Sequence, residues 1–180
     1  MSHRNIRAPR LSLAALACGA AAPALSQAQP PAAPGPCAAP EHHQFDFWLG
    51  DWEVRTPEGR LAGHNTISRT LGGCVLQESW RGASGHHGTS YNIYDASRRR
   101  WHQTWVDDEG TLLQLDGAFA DGRMVLTGES VDSAGKPVKQ RITWEPLAGG
   151  KVRQLWDSSS DGVAWKVEFE GIYSRLRSPS

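Results

Sequence analysis

The stretch FDFWLGDWEV, Phe45 to Val54, sets four aromatic rings, Phe45, Phe47, Trp48 and Trp52, within ten residues of a chain that is otherwise polar. Such a run serves either as an aromatic binding surface or as the plug of a core. What lies on each side of it decides between the two.

Downstream, from Asp51 onward, almost no segment carries helical periodicity. Two-residue alternation recurs instead, bounded by Gly, Asp, Ser and Pro. It predicts strands at DWEVRT from Asp51, AGHNTISRTL from Ala62, CVLQESWRG from Cys74, GTSYNIYD from Gly88 and RWHQTWVD from Arg100. The series continues with TLLQLDGAFA from Thr111, RMVLTGESV from Arg123, VKQRITWEPL from Val138, KVRQLWDSS from Lys151 and VAWKVEFEGIYSRL from Val163. The links between them are short and rich in turn residues: Pro57 to Gly59, Asp108 to Gly110, Ala120 to Gly122, Ser133 to Lys136, Ala148 to Gly150 and Ser159 to Gly162. Hairpin-length links make sequence neighbours into sheet neighbours, and a meander this long removes both exposed edges by closing on itself. The expected fold is all-β: an up-and-down antiparallel β-barrel of about ten strands with a lumen, preferred to a two-sheet sandwich. In that frame Phe45, Phe47 and Trp48 form a short aromatic turn that closes one end. Gly50 permits the tight bend that turns Trp52 inward.

Upstream, His3, Arg4, Arg7 and Arg10 make a basic start, and Leu11 to Leu25 is an apolar run too short to span a membrane with ordinary flanks. SQAQP follows with a small-x-small pattern. Residues 1–28 therefore read as a secretory signal cut near Ala28, and no transmembrane segment is expected after cleavage. A rival reading makes Cys18 a lipidation site, but Ala15 stands where a lipobox carries leucine. Residues 29–40 form a Pro/Ala-rich leader and 41–177 a single domain, about 140 residues long, in a periplasmic or secreted protein. Removing Cys18 with the signal leaves Cys37 and Cys74, an even pair that favours a disulfide in an oxidising compartment. Nineteen basic and nineteen acidic residues balance, which gives no electrostatic footprint for nucleic acid or an anionic membrane.

Gly50-Asp51-Trp52 behind a short aromatic turn and before a ten-strand meander resembles the opening signature of the lipocalin-like (calycin) barrels. The resemblance implies that Trp52 closes one end of the lumen and that a basic residue of the last strand, Arg175 or Arg177, lies across its ring. Over nearly the whole mature chain, FDFWLGDWEV, GGCVLQESW, GTSYNIYD, RWHQTWVDDEGTLL and QRITW in this order resemble a bacterial family of exported domains of unknown function, grouped loosely with the lipocalin-like DUF1579 proteins. That likeness implies a fold and an export route and supplies no catalytic or binding residues.

The chemistry is carried by one repeated pattern, a carboxylate or amide two positions before a tryptophan: Glu78 and Trp80, Gln103 and Trp105, Gln154 and Trp156. In a strand, residues i and i+2 share a face, so each pair projects a hydrogen-bonding group and an indole to the same side. Gln140, Ile142 and Trp144 share a face in the same way, and Asn92 joins from a neighbouring strand with Ser90 and Tyr94. If these faces line the lumen, they build a site for a small amphipathic or aromatic ligand. If they face solvent, they form a surface for glycan or envelope protein; if neither, they are core filler. Apolar residues on both faces of YNIYD and TLLQLD leave the choice open. An enzymatic alternative uses the same cavity with Glu78 as general base. No nucleophile elbow, phosphate loop or metalloprotease helix is present, and no cofactor or metal is expected. The histidines lack ligand spacing, and a single lumenal His102 or His64 holding haem is a minor alternative. Asp107 and Asp108 read as turn residues, and Ser97 to Arg100 as a solvated basic tip.

Overall fold

The computed structural model describes residues 35–176. The signal over 1–28, Cys18, the first part of the leader and Arg177 lie outside the described residues. Ten strands follow one another: β1 (Gly50–Arg55), β2 (Leu61–Thr70), β3 (Val75–Gly82), β4 (His87–Asp95), β5 (Arg100–Asp107), β6 (Leu112–Ala120), β7 (Arg123–Val131), β8 (Pro137–Leu147), β9 (Lys151–Ser159) and β10 (Lys166–Arg175). Each pairs antiparallel with its sequence neighbours, and β1 closes on β10 with Trp52 opposite Arg175 and Val54 opposite Tyr173. The result is a closed, up-and-down, lipocalin-like barrel; the sandwich alternative fails because no sheet edge remains.

Alternation drives each strand's orientation. On β2, Gly63, Asn65 and Ile67 are buried while His64, Thr66 and Ser68 are exposed. The ambiguous strands resolve in the same way. Ser90 and Asn92 point inward and leave Tyr91 and Ile93 outside, and Leu113 and Leu115 are buried while Leu112 is exposed. One boundary departs from expectation: Val163 to Trp165 precede β10 rather than opening it. Asp161 Oδ1 accepts from the backbone N–H groups of Val163 and Ala164 at 2.7 and 2.9 Å, which holds that segment as a turn. Trp165 then rests outside, with the Arg141 guanidinium 3.9 Å from its ring centre.

The plug takes shape from two 3-10 turns, Pro40–His43 and Asp46–Trp48. Phe45 and Trp48 are wholly buried and stacked, with centroids 4.9 Å apart. Phe45 also meets Trp101 and Trp144 edge-on at 5.6 and 5.2 Å. Phe47 is only partly buried and leans on Phe119. The Trp52 indole N–H donates to the Trp48 carbonyl at 2.9 Å, which joins the first strand to the plug. Arg175 lies over the Trp52 ring, 4.5 Å from its centre. Gly50 has φ of 131°, and a Cβ there would collide with the Arg175 guanidinium. The glycine thus serves the cation-π contact as well as the bend.

Cys37 and Cys74 are bonded, with their Cα atoms 5.2 Å apart and a sequence separation of 37. The bridge ties the segment ahead of the plug to the turn that opens β3, and it suits an oxidising compartment. Reducing it, or replacing Cys74 by serine, is expected to lower unfolding free energy by about 3 to 4 kcal/mol. Urea unfolding with and without reductant measures this loss, and intact mass confirms the gain of two hydrogens.

Candidate functional site

Inward residues stack in three tiers, and β5 carries one of each: Trp101, Gln103 and Trp105. Trp101 belongs to the plug, together with Trp144 and Trp48. Gln103 belongs to a polar belt across the middle of the barrel. Trp105, with Trp80, Trp156 and Phe169, lines an open chamber beyond the belt. That chamber encloses about 360 Å³ and is rimmed by His86, Asp107, Glu109 and Thr111.

Glu78 stands at the centre of the belt. Its carboxylate accepts from Asn65 Nδ2 at 2.7 Å and from Ser90 Oγ at 2.6 Å. Asn65 Nδ2 also reaches the Tyr173 hydroxyl at 3.4 Å, and that hydroxyl donates to Gln154 Oε1. On the other side, Asn92 Nδ2 donates to Ser90 Oγ at 2.9 Å and Gln103 Nε2 to Asn92 Oδ1 at 2.8 Å. A continuous hydrogen-bonded chain therefore runs from β9 through β10, β2, β3 and β4 to β5. Such a belt is tolerable inside a barrel because nearly every member has a partner.

Burial pushes the Glu78 carboxyl up to about 6, and the hydrogen bonds from Ser90 and Asn65 oppose that rise. Tyr173 is raised well above its ordinary range by burial and by the Glu78 charge, so it stays a donor. Asp107 moves the other way. Burial would raise it, but the Thr111 backbone N–H, the Trp105 indole and further donors outweigh burial and hold it low.

Of the residues expected to form a ligand site, Glu78, Trp80, Gln103, Trp105, Gln154 and Trp156 all line the chamber. Asn92 does not. It is wholly buried within the belt, where it bonds Gln103, Ser90 and the Leu76 carbonyl, so its part is to position the belt. Trp144 is buried in the plug, not the chamber. None of the eight tryptophans is exposed, which removes the exposed-indole surface module. His102 and His64 sit on the outer face, His102 bonded to Asp116 at 2.9 Å and His64 exposed, so neither offers a lumenal haem ligand. Asp107 does more than turn a hairpin, since its Oδ2 accepts the Trp105 indole N–H at 3.1 Å. The Ser97 to Arg100 tip carries Arg98, which reaches Asp95 and Asp116 across the surface.

Sequence reasoning missed Asn65 and Tyr173 and named Ser90 only as sharing a face with Asn92; all three reach Glu78 through cross-strand register. It also missed Gly63 and Gly88. A Cβ on Gly88 would run into the Trp105 ring, and one on Gly63 would stand 2.8 Å from the Trp80 ring. The Trp105 indole has its place because Gly88 is empty, whereas at Gly63 a Cβ would collide first with the Arg81 carbonyl oxygen and then with the Trp80 ring.

These features define a class: a closed ten-stranded barrel plugged at one end and hollow at the other, with an acidic polar floor and indole walls. No family model matches the chain, and no curated protein matches it either.

Glu78 also makes a prediction about stability. Its folded pKa lies above the unfolded value of 4.5, so the folded state holds the proton more tightly. Folding is favoured below the unfolded pKa, and that advantage disappears as pH rises through about 6. The shift corresponds to about 2 kcal/mol. Urea unfolding between pH 4.5 and 7.5 is expected to show this fall in the native protein and to lack it in Glu78→Gln.

Proposed function

We propose that this protein is an exported small-molecule binder whose ligand occupies the hollow half of the barrel. The observation that carries the reading is the chamber itself: about 360 Å³ of space walled by Trp80, Trp105, Trp156 and Phe169 over a floor of hydrogen-bonding groups. Small-molecule sites share this composition, with apolar walls for area and a few placed polar groups for orientation. The ligand stacks on the three indoles and hydrogen-bonds to Glu78, Gln103 and Gln154. Export to the periplasm or beyond, directed by the signal over residues 1–28, and kinship with the lipocalin-like DUF1579 proteins belong to the same proposal. The Cys37–Cys74 bridge and the lipocalin-like barrel support them.

A second reading, in which Glu78 removes a proton from a small substrate, rests on its pKa near 6 and its place on the chamber wall. Binding has the wider support, because the belt engages the other polar groups around Glu78 in structure.

Native mass spectrometry of protein purified from its own host is expected to reveal a co-purifying small molecule. Adding that molecule to stripped protein should change tryptophan fluorescence. Trp105→Ala should abolish the change with the far-ultraviolet circular dichroism intact, and Gly88→Ala, which displaces the same indole, should weaken binding about ten-fold. A stripped and an as-purified protein of identical mass, with no fluorescence response to host extract, would refute the reading.

A further inference from the structure

We propose that the chamber selects an organic cation, a small amine with an aromatic or aliphatic body, whose ammonium group settles against Glu78. This inference rests on the reading of the chamber as a ligand site and names the chemical class that fits it.

The charge lining the space is one-sided. Glu78, Asp107, Glu109 and Glu168 contribute to it, against His86 alone, and among the described residues the lining includes neither lysine nor arginine. Three of these carboxylates sit toward the mouth with partners of their own. Asp107 holds the Trp105 indole and the backbone N–H groups of Glu109 and Thr111, and Glu168 takes Ser158 and Lys166. Glu109 is exposed. They lend the opening a negative field that concentrates cations.

Glu78 differs from them. It is buried on the floor, and the groups that face it are Asn65 on β2, Ser90 on β4 and Tyr173 on β10. All are neutral, and only Tyr173 titrates, well above its ordinary range. An ionised carboxylate in such surroundings lacks a countercharge, and a buried charge is costly until one arrives.

Hydrogen-bond accounting points the same way. The Trp156 N–H is engaged by Gln140 at 2.7 Å, the Trp105 N–H by Asp107, the Ser90 hydroxyl by Glu78 and the Tyr173 hydroxyl by Gln154. These four donors are closed to a ligand, while the Trp80 indole and Gln154 amide N–H groups on the chamber wall stay available to its polar atoms. Asn65 Oδ1 is buried without a partner on the side chain that bridges Glu78 and Tyr173, but Asn65 lies outside the chamber lining. The uncompensated acceptor that the chamber wall does present is the Glu78 carboxylate. An ammonium group offers up to three N–H donors and one positive charge, which matches an uncompensated carboxylate on the chamber wall. The indole faces above the floor favour the same charge through their quadrupoles. An anionic ligand would meet carboxylates with no arginine or lysine to receive it, and a purely apolar one would leave Glu78 without a countercharge.

The test is calorimetric titration of the intact exported protein with three ligands of one shape: phenethylamine, phenethyl alcohol and phenylacetate. At pH 7.5 the amine is expected to bind about ten-fold more tightly than the alcohol, with phenylacetate weakest. The amine's advantage should grow from pH 5 to pH 7.5 as Glu78 ionises, and Glu78→Gln should bring the amine-to-alcohol ratio toward one. The comparison within the native protein needs no variant to fold. If the alcohol or the acid matches the amine at pH 7.5, cation selection is overturned while the chamber still stands as a ligand site. If none of the three binds and no ligand co-purifies from the host, both readings fall.

Discussion

A closed sheet of ten strands encloses more width than one layer of side chains can fill, and this mismatch governs the rest of the molecule. Inward-facing positions alone cannot pack the lumen to the density of a protein interior. The chain solves the problem at one end by importing rings from outside the sheet: Phe45 and Trp48 arrive from the segment before β1 and complete a cluster with Trp52, Trp101 and Trp144. The disulfide and the hydrogen bond from Trp52 to the Trp48 carbonyl keep that imported segment in place. No equivalent segment enters from the other end among the described residues. The unfilled width persists there as the chamber.

The belt between plug and chamber follows from the same geometry. A residue halfway along a barrel strand meets neither the packed rings below nor free solvent above. Placing Glu78 there raises its pKa to about 6, so the site carries an energetic cost near neutral pH. Isosteric apolar residues would remove that cost. What they could not supply is a fixed, directional floor: Asn65, Ser90, Asn92, Gln103, Tyr173 and Gln154 each orient the next, and the carboxylate ends up held from two sides at 2.6 and 2.7 Å. Preorganised polar groups of this kind favour a particular ligand chemistry over general adhesion to an oily pocket.

Much of this was legible from residue order. Alternation and hairpin residues were enough for ten strands in their right sequence, because each such signal is local. The i, i+2 pairing of an acidic or amide group with tryptophan placed Glu78 with Trp80 and Gln103 with Trp105 on one wall, since strand geometry leaves no other outcome. The inward face of β4 was not readable: Tyr91 and Ile93 are apolar yet face out, while Ser90 and Asn92 are polar yet buried. Only the belt, assembled from strands distant in sequence, makes polar residues the natural interior there. Trp165 misled in the opposite way, its apolar ring suggesting strand where the Asp161 side chain had already imposed a turn.

Two inward glycines shape the upper wall of the chamber. Gly63 and Gly88 sit at inward positions near the mouth; at Gly63 the Arg81 carbonyl of the neighbouring strand leaves no room for a Cβ, and at Gly88 the Trp105 ring takes that room. The absence of a Cβ at Gly88 lets the Trp105 ring fold back against the wall instead of crossing the lumen. Glycine inside a strand weakens the sheet and adds no packing of its own. A barrel built only for stability would let that indole cap the chamber, or would fill the gap with leucine. Here Asp107 anchors the Trp105 ring at the rim, and Gly88 gives it room to lie flat. Wall, floor and opening are therefore held by separate devices, each of which keeps the same volume clear.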